Sequence, residues 1–381
     1  MKVTHVIPTM GIKSGGPSRS VFNLVKGLRD KGMDAEICTM ENPNNKNIEH
    51  AEWIHEIEGP QLNLFEICFP FNKLMKDNIG EIVHVHSIYS HPTIIAPAVA
   101  RAKGVPYIIA PRGSLYQNAL KLKSFKKKLF NKLFLWRDLQ NATVIHATCK
   151  EEYRQIRACG IDRPIAIIPN SIKCPSVLCD VTPKDKIRVG FLGRMHPIKN
   201  IDGLIRGWAK ANLGKRDDLE LVIIGGTNFD YEKEYLASLH KLEEELDIQN
   251  IVWKGALYGD EKDNVMHTLS YNVLPSHSEN FGMSVIESLL LGIPVIASEK
   301  TPWEELNDNK CGWWVPNTDD SLADTLTKAV STSKDEWVEM GKRGQQMVIN
   351  GYSVDAVSND LITLYKWVLN GGEKPKFVYT E

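Results

Sequence analysis

The sequence predicts an α/β protein made of two units in tandem, each a parallel sheet covered on both faces by helices. Three observations carry this. A length of 381 residues exceeds one compact core and suits two domains of ordinary size. Short apolar runs alternate with helical periodicity, the pattern of parallel sheets. That pattern then restarts beyond a polar, proline-flanked stretch, Pro175 to Lys186, which reads as a linker.

The first unit opens on an apolar strand, Val3 to Pro8, and a glycine-rich loop, Gly11-Ile12-Lys13-Ser14-Gly15-Gly16-Pro17. Val21, Leu24, Val25 and Leu28 then recur at helical spacing and define one buried face. Lys31-Gly32 ends that helix, and Asp34 to Met40 reads as the next strand. Further strands are expected at Ile82–His86, Tyr107–Ala110, Thr143–Ala147 and Ala166–Ile168. The second unit starts with Ile187 to Gly193, a strand running into a glycine. It continues through Leu221–Ile224, Ile251–Trp253, Tyr271–Leu274 and Pro294–Ala297. Near the end, Leu361, Leu364, Tyr365, Trp367 and Val368 form the apolar face of a final helix before Gly371-Gly372. Parallel sheets bind ligands beyond the carboxyl ends of their strands, so two facing units are expected to hold a ligand cleft between them.

Composition excludes several classes. The apolar share of 43% and charged share of 24% are those of a folded chain rather than a disordered one. A formal net charge of −1 gives a nucleic-acid partner no overall electrostatic support. Cys38, Cys68, Cys149, Cys159, Cys174, Cys179 and Cys311 are scattered without metal-type spacing. That points to reduced thiols in a cytoplasmic protein and away from a zinc site. No N-terminal stretch fits a signal peptide, and no run approaches the roughly 20 apolar residues that span a bilayer. A soluble protein, attached at most to a membrane face, is expected.

Tyr271 to Ser298 is the most informative segment. A strand leads into the loop Ser276-His277-Ser278-Glu279-Asn280-Phe281, a helix follows from Gly282 to Leu291, and Gly292-Ile293-Pro294 enters another strand. Glu279 stands just before the helix, and Glu287 lies within it. The N–H groups of Phe281, Gly282 and Met283, with the positive end of the helix dipole, form an anion site suited to a phosphate or a sugar hydroxyl face. From spacing alone, a simple cap at Glu279 and a solvated position at Glu287 stay equally open. Arg194 and Lys199 follow the first strand of the second unit. Two fixed cations there suit a diphosphate and the negative charge of a departing nucleotide. Two solvated surface cations are the alternative.

Together these residues resemble the retaining glycosyltransferases of family 4, which have the GT-B fold: two Rossmann-like domains with parallel sheets facing across a cleft. The resembling stretches are S-G-G-P at 14–17, G-R-M-H-P-I-K-N at 193–200 and P-S-H-S-E-N-F-G-M-S-V-I-E at 275–287, the last matching the family's E-x7-E motif. L-G-I-P-V-I-A-S at 291–298 and C-G-W-W-V-P at 311–316 complete an ordered series running the length of the chain. The resemblance implies an acceptor domain at 1–180, a nucleotide-sugar donor domain at 181–357 and a C-terminal helix, 358–381, crossing back onto the first domain. It implies that Arg194 and Lys199 bind the donor diphosphate, and that Glu287 holds the ribose hydroxyls. Glu279 would face the donor sugar, with the backbone of Phe281, Gly282 and Met283 around the sugar and β-phosphate. Gly15 and Gly16 would close over the phosphates. Front-face attack, with the leaving phosphate taking the acceptor proton, would need no protein nucleophile and no cofactor beyond the nucleotide-sugar co-substrate.

One departure concerns the first domain, where many family members carry a histidine near the reacting sugar. Here Pro111-Arg112-Gly113-Ser114-Leu115 offers Arg112, and P-R-G-x-L resembles a subgroup associated with bacterial surface-polysaccharide assembly. Arginine cannot act as a base, so Arg112 is expected to bind a phosphate or a carboxylate. His86 is a second candidate for an acceptor or phosphate contact. Like His84 and His146 near the same strand ends, it also reads as a hydrogen-bonded structural histidine. No Asp-x-Asp occurs, which fits transfer without a divalent metal. Lys121 to Arg137 carries seven cations interleaved with apolar residues and no acid. That is the pattern of a basic amphipathic helix at an anionic membrane surface near a lipid-linked acceptor, or of an ordinary helix with solvated lysines. Expected overall is surface-polysaccharide glycosyl transfer at the inner face of the plasma membrane. A GT-B nucleotide-sugar epimerase, a phosphorylase-like enzyme and a non-catalytic nucleotide-sugar binding protein are the alternatives. A Rossmann dehydrogenase is disfavoured, because the first loop lacks G-x-G-x-x-G.

Overall fold

The computed structural model describes residues 1–11, 16–42, 49–59, 66–116 and 135–380. Gly15, and the basic segment as far as residue 134, lie outside them. The chain divides into two compact units: Met1–Lys173 together with Tyr352–Glu381, and Cys174–Gly351.

In the first unit the elements run β1 (Lys2–Thr9), α1 (Gly16–Asp30), β2 (Asp34–Glu41), β3 (Ile54–Glu58), α2 (Phe71–Asp77), β4 (Ile82–His86), α3 (His91–Lys103), β5 (Tyr107–Ala110), α4 (Trp136–Asn141), β6 (Val144–Ala147), α5 (Lys150–Ala158) and β7 (Ile165–Ile167). The second unit holds β8 (Ile187–Leu192), α6 (Ile201–Lys210), β9 (Leu219–Ile224), α7 (Asp230–Glu245), β10 (Ile251–Gly255), α8 (Gly259–Met266), β11 (Tyr271–Leu274), α9 (Met283–Leu290), β12 (Val295–Ser298), α10 (Glu305–Asp308), β13 (Gly312–Val315), α11 (Asp319–Val330) and α12 (Lys334–Tyr352). The chain then returns to the first unit with α13 (Val354–Asn370) and β14 (Val378–Tyr379).

Both sheets reverse direction at their middle. The second is ordered β10-β9-β8-β11-β12-β13, so strands are laid down outward on one side of β8 and then outward on the other. The first, read from its far edge, is ordered β3-β2-β1-β4-β5-β6-β7-β14, with the same reversal between β1 and β4. All described pairings are parallel except β14 against β7. Where strand order reverses, the loops leaving neighbouring strands diverge and open a crevice at the carboxyl edge. In the second unit that crevice falls between the loops after β8 and β11.

The cores follow the periodicities. Val21, Leu24, Val25 and Leu28 of α1 pack with Val357, Leu361, Leu364 and Tyr365 of α13 against Ile108 and Val144 of the sheet. The two helices cross closely at Gly27, where a Cβ would stand 2.2 Å from Val354 Cγ1. In the second unit, fully buried Trp208 packs among Phe191, Leu204, Leu322 and Leu326.

Several strands begin and end where the apolar runs placed them: β4, β5 and β11 coincide with the expected bounds. β3, β13 and β14 were not anticipated. Ile54-His55-Glu56-Ile57-Glu58 interrupts its apolar residues with charge, as an edge strand permits, and Gly312–Val315 and Val378–Tyr379 are too short to announce themselves. The last stretch also needs correction. Residues 371–381, expected to continue the final helix, leave it at Gly371 and Gly372, both at positive φ, and form the antiparallel edge strand.

Because the cores are separate, Leu361→Ala and Trp208→Ala should each destabilise by about 3 kcal/mol, in different units. Limited proteolysis along a denaturant series will show cleavage appearing first in the first unit for one variant and in the second for the other.

Candidate active site

In the second unit the site is built on the loops after β8 and β11. After β8 the backbone turns through Gly193 and Arg194 into one turn of 3₁₀ helix, Pro197–Lys199. The His196 ring caps that turn, its Nδ1 accepting from Ile198 N at 3.0 Å. After β11, His277 N donates to Ile198 O at 2.8 Å, tying the second loop to the first. The Ser276 carbonyl accepts from Ser298 Oγ at 2.6 Å and Asn317 Nδ2 at 3.4 Å, and Asn317 in turn accepts from Asn200 Nδ2 at 2.9 Å. These bonds leave Lys199 and Glu279 facing each other.

Lys199 Nζ donates to Glu279 Oε2, and both side chains are only 16% exposed. Ser276 Oγ donates to the same oxygen at 3.4 Å. Arg194 takes a different partner: its Nη1 lies 3.5 Å from Glu232 Oε1, with Arg194 56% exposed and Glu232 fully buried. Glu232 is itself held at the start of α7, accepting from Asn228 N at 2.6 Å. Glu287 pairs with Lys262 of α8 at 3.2 Å. Lys199 and Glu279 therefore meet at the reversal point, while Arg194 and Glu287 each pair with an opposite charge on another helix.

The helix start is a correction of detail. α9 begins at Met283, and Gly282 is its cap, at φ 87° and ψ 72°. A Cβ there would stand 2.7 Å from Leu274 Cδ2 and 3.3 Å from Glu279 Cγ, so only glycine fits both the backbone and the space. Phe281 is 4% exposed; its ring packs edge-on against Trp303, 5.1 Å between centroids, and its carbonyl accepts from Trp303 Nε1 at 2.5 Å. Phe281 thus offers backbone, not side chain, to a ligand. In the first turn of α9, Val285 N donates back to the Gly282 carbonyl at 3.0 Å, and the amide of Met283 precedes any residue that could receive it within the helix.

In the first unit, Gly16 starts α1 and Arg112 follows β5. Arg112 and Gly113 both take positive φ, 51° and 78°. Arg112 Nη1 donates to Asn170 Oδ1 at 2.6 Å, which also accepts from Ser20 Oγ of α1 at 3.1 Å. Its Nη2 donates to His86 Nδ1 at 3.0 Å. Burial lowers the Arg112 pKa to about 10, so it stays charged at neutrality. Glu152 lies near, its carboxyl pushed up by burial, but its oxygens accept from Gly113 N at 2.6 Å and from Thr148 N and Oγ1, both at 2.7 Å.

His86 is not a ligand contact. It is fully buried, and both ring nitrogens are used: Nδ1 by Arg112 and Nε2 by His5 Nδ1 at 2.9 Å. His84 and His146 are equally buried and hydrogen-bonded. Burial, before any charge, pushes His5 down to about 3 and His146 to about 4, and drives His84 and His86 well below 6.5. Among the described residues, His5, His84 and His86 have the spacing of a metal-binding group, as do Glu41, His50 and Glu56. Sequence reasoning missed Lys262, Ser276, Asn317 and Trp303. Ser276 lies in the loop motif before Glu279 but has no role assigned there; the others lie outside the motifs, and a pairing such as Lys262 with Glu287 joins residues on separate helices.

Residues 180–347 match the family profile described as Glycosyl transferases group 1, and residues 14–174 that described as Glycosyltransferase Family 4. An uncharacterized 41.2 kDa protein in the cps region of Klebsiella pneumoniae is 22% identical over 96% of this chain and 99% of its own. The O-antigen biosynthesis glycosyltransferase WclY of Escherichia coli is 33% identical over 34% of this chain and 38% of its own. The chain spans about a quarter of the sucrose synthase of Denitrovibrio acetiphilus, 25%, at 27% identity over 47% of this chain. Among solved structures, sucrose-phosphate synthase from Thermosynechococcus elongatus superposes with TM-score 0.73 at 17% identity, covering 98% of this chain and 100% of that one. Anabaena HepE in complex with UDP and glucose gives 0.70 at 13%, covering 96% and 99%. Two parallel-sheet α/β units and these neighbours show the GT-B fold. Within it, this chain carries a family 4-like first domain followed by a group 1 second domain.

The buried imidazoles set a pH dependence. Their folded pKa values lie below the ordinary 6.5, so below that pH the unfolded chain binds more protons and stability falls as pH falls. Each costs about 1.4 kcal/mol per pH unit until its folded pKa is reached. Glu66, Asp138, Glu152 and Asp360, all raised by burial, work the other way, but they start from ordinary values of 4.5 or 3.8, whereas the four imidazoles start from 6.5. Urea midpoints for unfolding should drop sharply between pH 7 and pH 5; a constant midpoint refutes the neutral assignment.

Proposed function

We propose that this protein is a retaining, metal-independent glycosyltransferase that moves a sugar from a nucleotide-sugar to a saccharide acceptor in surface-polysaccharide synthesis. The observation that carries the reading is the meeting of Lys199 and Glu279 where strand order reverses, beside the N-terminus of α9. Arg194 and Lys199 would hold the diphosphate, Glu279 the donor sugar and Glu287 the ribose hydroxyls. The α9 amides and Gly282 would take the β-phosphate, and Gly15 and Gly16 would lie over the phosphates. The acceptor hydroxyl attacks the anomeric carbon on the face the phosphate leaves. The C–O bond to phosphate breaks, the new C–O bond forms, and the hydroxyl proton passes to the departing phosphate oxygen. Fixed cations stabilise the charge growing on that oxygen, the role a divalent metal would otherwise fill. Arg112 would contact a phosphate of donor or acceptor, or a carboxylate.

The surface-polysaccharide reading draws on the names of two relatives, one in O-antigen biosynthesis and one in a cps region. Action at the inner face of the plasma membrane on a lipid-linked acceptor draws on Lys121 to Arg137. Among the described residues, no helix is long and apolar enough to cross a membrane.

Lys199→Ala and Glu279→Ala should each lower turnover by about 100-fold or more while far-UV circular dichroism stays unchanged. Assays with and without EDTA should agree, and NMR of the product should show the donor's anomeric configuration. Wild-type turnover in either variant, loss of activity in EDTA, or an inverted product defeats the mechanism. Flotation with anionic liposomes at low salt tests the basic segment: binding should occur and should vanish when its lysines are neutralised.

A further inference from the structure

The buried polar groups of the first unit form one connected line. Arg112 Nη2 meets His86 Nδ1 at 3.0 Å, and His86 Nε2 meets His5 Nδ1 at 2.9 Å. His5 Nε2 lies 3.5 Å from the Tyr365 hydroxyl, which lies 2.7 Å from His84 Nδ1. His84 Nε2 meets His146 Nδ1 at 3.1 Å, and His146 Nε2 meets the Ile168 carbonyl at 2.8 Å. All six side chains belong to the first unit; His5 lies on β1, His84 and His86 on β4, and Tyr365 on α13.

The two ends fix the direction. A guanidinium only donates, so His86 Nδ1 must carry a lone pair and, in a neutral ring, the proton sits on Nε2. That proton points to His5 Nδ1, which forces His5 into the same form, with its Nε2–H directed at the Tyr365 oxygen. Reasoning from the other end uses no part of this. A carbonyl only accepts, so His146 is protonated on Nε2 and its Nδ1 accepts from His84 Nε2–H. His84 Nδ1 then needs a donor, and the Tyr365 O–H is the group in reach. Two independent deductions meet at one hydroxyl, which accepts from His5 and donates to His84.

We propose that Tyr365, His84 and His5 are positioning residues for Arg112, acting through this directed chain to hold His86 in the one tautomer that accepts from the guanidinium. In the opposite tautomer, Nδ1–H would confront a guanidinium N–H, two donors with no acceptor between them. The neutrality that the argument needs follows from burial of all four rings. A metal ion among His5, His84 and His86 is disfavoured by the same accounting. His86 Nδ1, His5 Nδ1 and His84 Nδ1 already accept from Arg112, His86 and Tyr365. The catalytic consequence rests on the proposed role of Arg112; the tautomers do not.

The first test is long-range ¹H–¹⁵N correlation on histidine-labelled protein at neutral pH. All four buried histidines should be Nε2–H. A single Nδ1–H ring or imidazolium among them, or stoichiometric zinc bound to wild type and lost in His84→Asn, overturns the chain. In Tyr365→Phe, His5 Nε2–H loses its acceptor and His84 Nδ1 its donor, so the ¹⁵N shifts of both rings should move, and kcat/KM should fall by between about 10- and 100-fold. Unchanged spectra in that variant also overturn it. His86→Asn places a carboxamide oxygen where Nδ1 stood and should keep most of the activity, whereas His86→Leu should lose it. Equal effects of the two remove the positioning role. If the chain proves not to be a glycosyltransferase, the tautomer spectra still decide the chain.

Discussion

Reversal of strand order is the constraint on which the rest depends. In each sheet the first strand of the unit lies at the centre, the next two are added on one side, and the fourth returns to the other. The right-handed crossovers of a parallel sheet then send the loops after the first and fourth strands apart. Lys199 follows β8 and Glu279 follows β11, strands adjacent in the sheet yet distant in sequence. No local interaction could bring 199 to 279; the topology does. The same reversal sets His5 on β1 beside His84 on β4, paired directly in register.

The charges at the second unit's reversal are met in pairs: Lys199 with Glu279, Arg194 with Glu232, Lys262 with Glu287. Pairing matters because half-buried ammonium and carboxylate groups without partners would be costly to desolvate. On the proposed reading, an arriving diphosphate would exchange one anion for another on cations already held in place. Lysine loses on the order of 2 kcal/mol of rotamer freedom when fixed, and here the fold has largely met that loss before any ligand arrives. Both members of the Lys199 pair are largely buried, whereas Arg194 is exposed and its partner Glu232 is fully buried.

How much of this was legible depended on whether information was local. Ile82 to His86 and Tyr271 to Leu274 are short, largely apolar runs between turn residues, and their bounds were read correctly. The ordered motifs around Arg194, Lys199, Glu279 and Glu287 fall on the turns after β8 and β11 and on α9, because each motif couples a strand end to the turn or helix after it. What stayed hidden was pairwise and distant. Lys262 meets Glu287 only because α8 packs near α9, and Tyr365 reaches His84 across 281 residues. His86 was misread as a ligand contact for the same reason: a histidine at a strand end looks available until its neighbours on β1 and after β5 are known. β3 was missed because an edge strand tolerates Glu56 and Glu58, which break the apolar pattern.

The two units handle positive charge in opposite ways, and the difference has a physical meaning. The second unit's cations face carboxylates. Arg112, by contrast, is held by an amide oxygen and an imidazole nitrogen, both neutral, while the nearby Glu152 carboxylate is occupied by two backbone amides and a hydroxyl. A carboxylate in direct contact would orient the guanidinium equally well, but it would cancel the field. Neutral acceptors fix its direction and leave its charge uncompensated at short range. That arrangement is costly twice over. A buried, weakly compensated cation is destabilising, as its lowered pKa records, and the backbone of Arg112 sits in a left-handed conformation worth on the order of 1 kcal/mol or more. Glutamine would relieve the first cost and glycine the second. On the proposed reading, a residue kept charged, neutral-partnered and strained at the carboxyl edge of a parallel sheet would present its positive field to an anion.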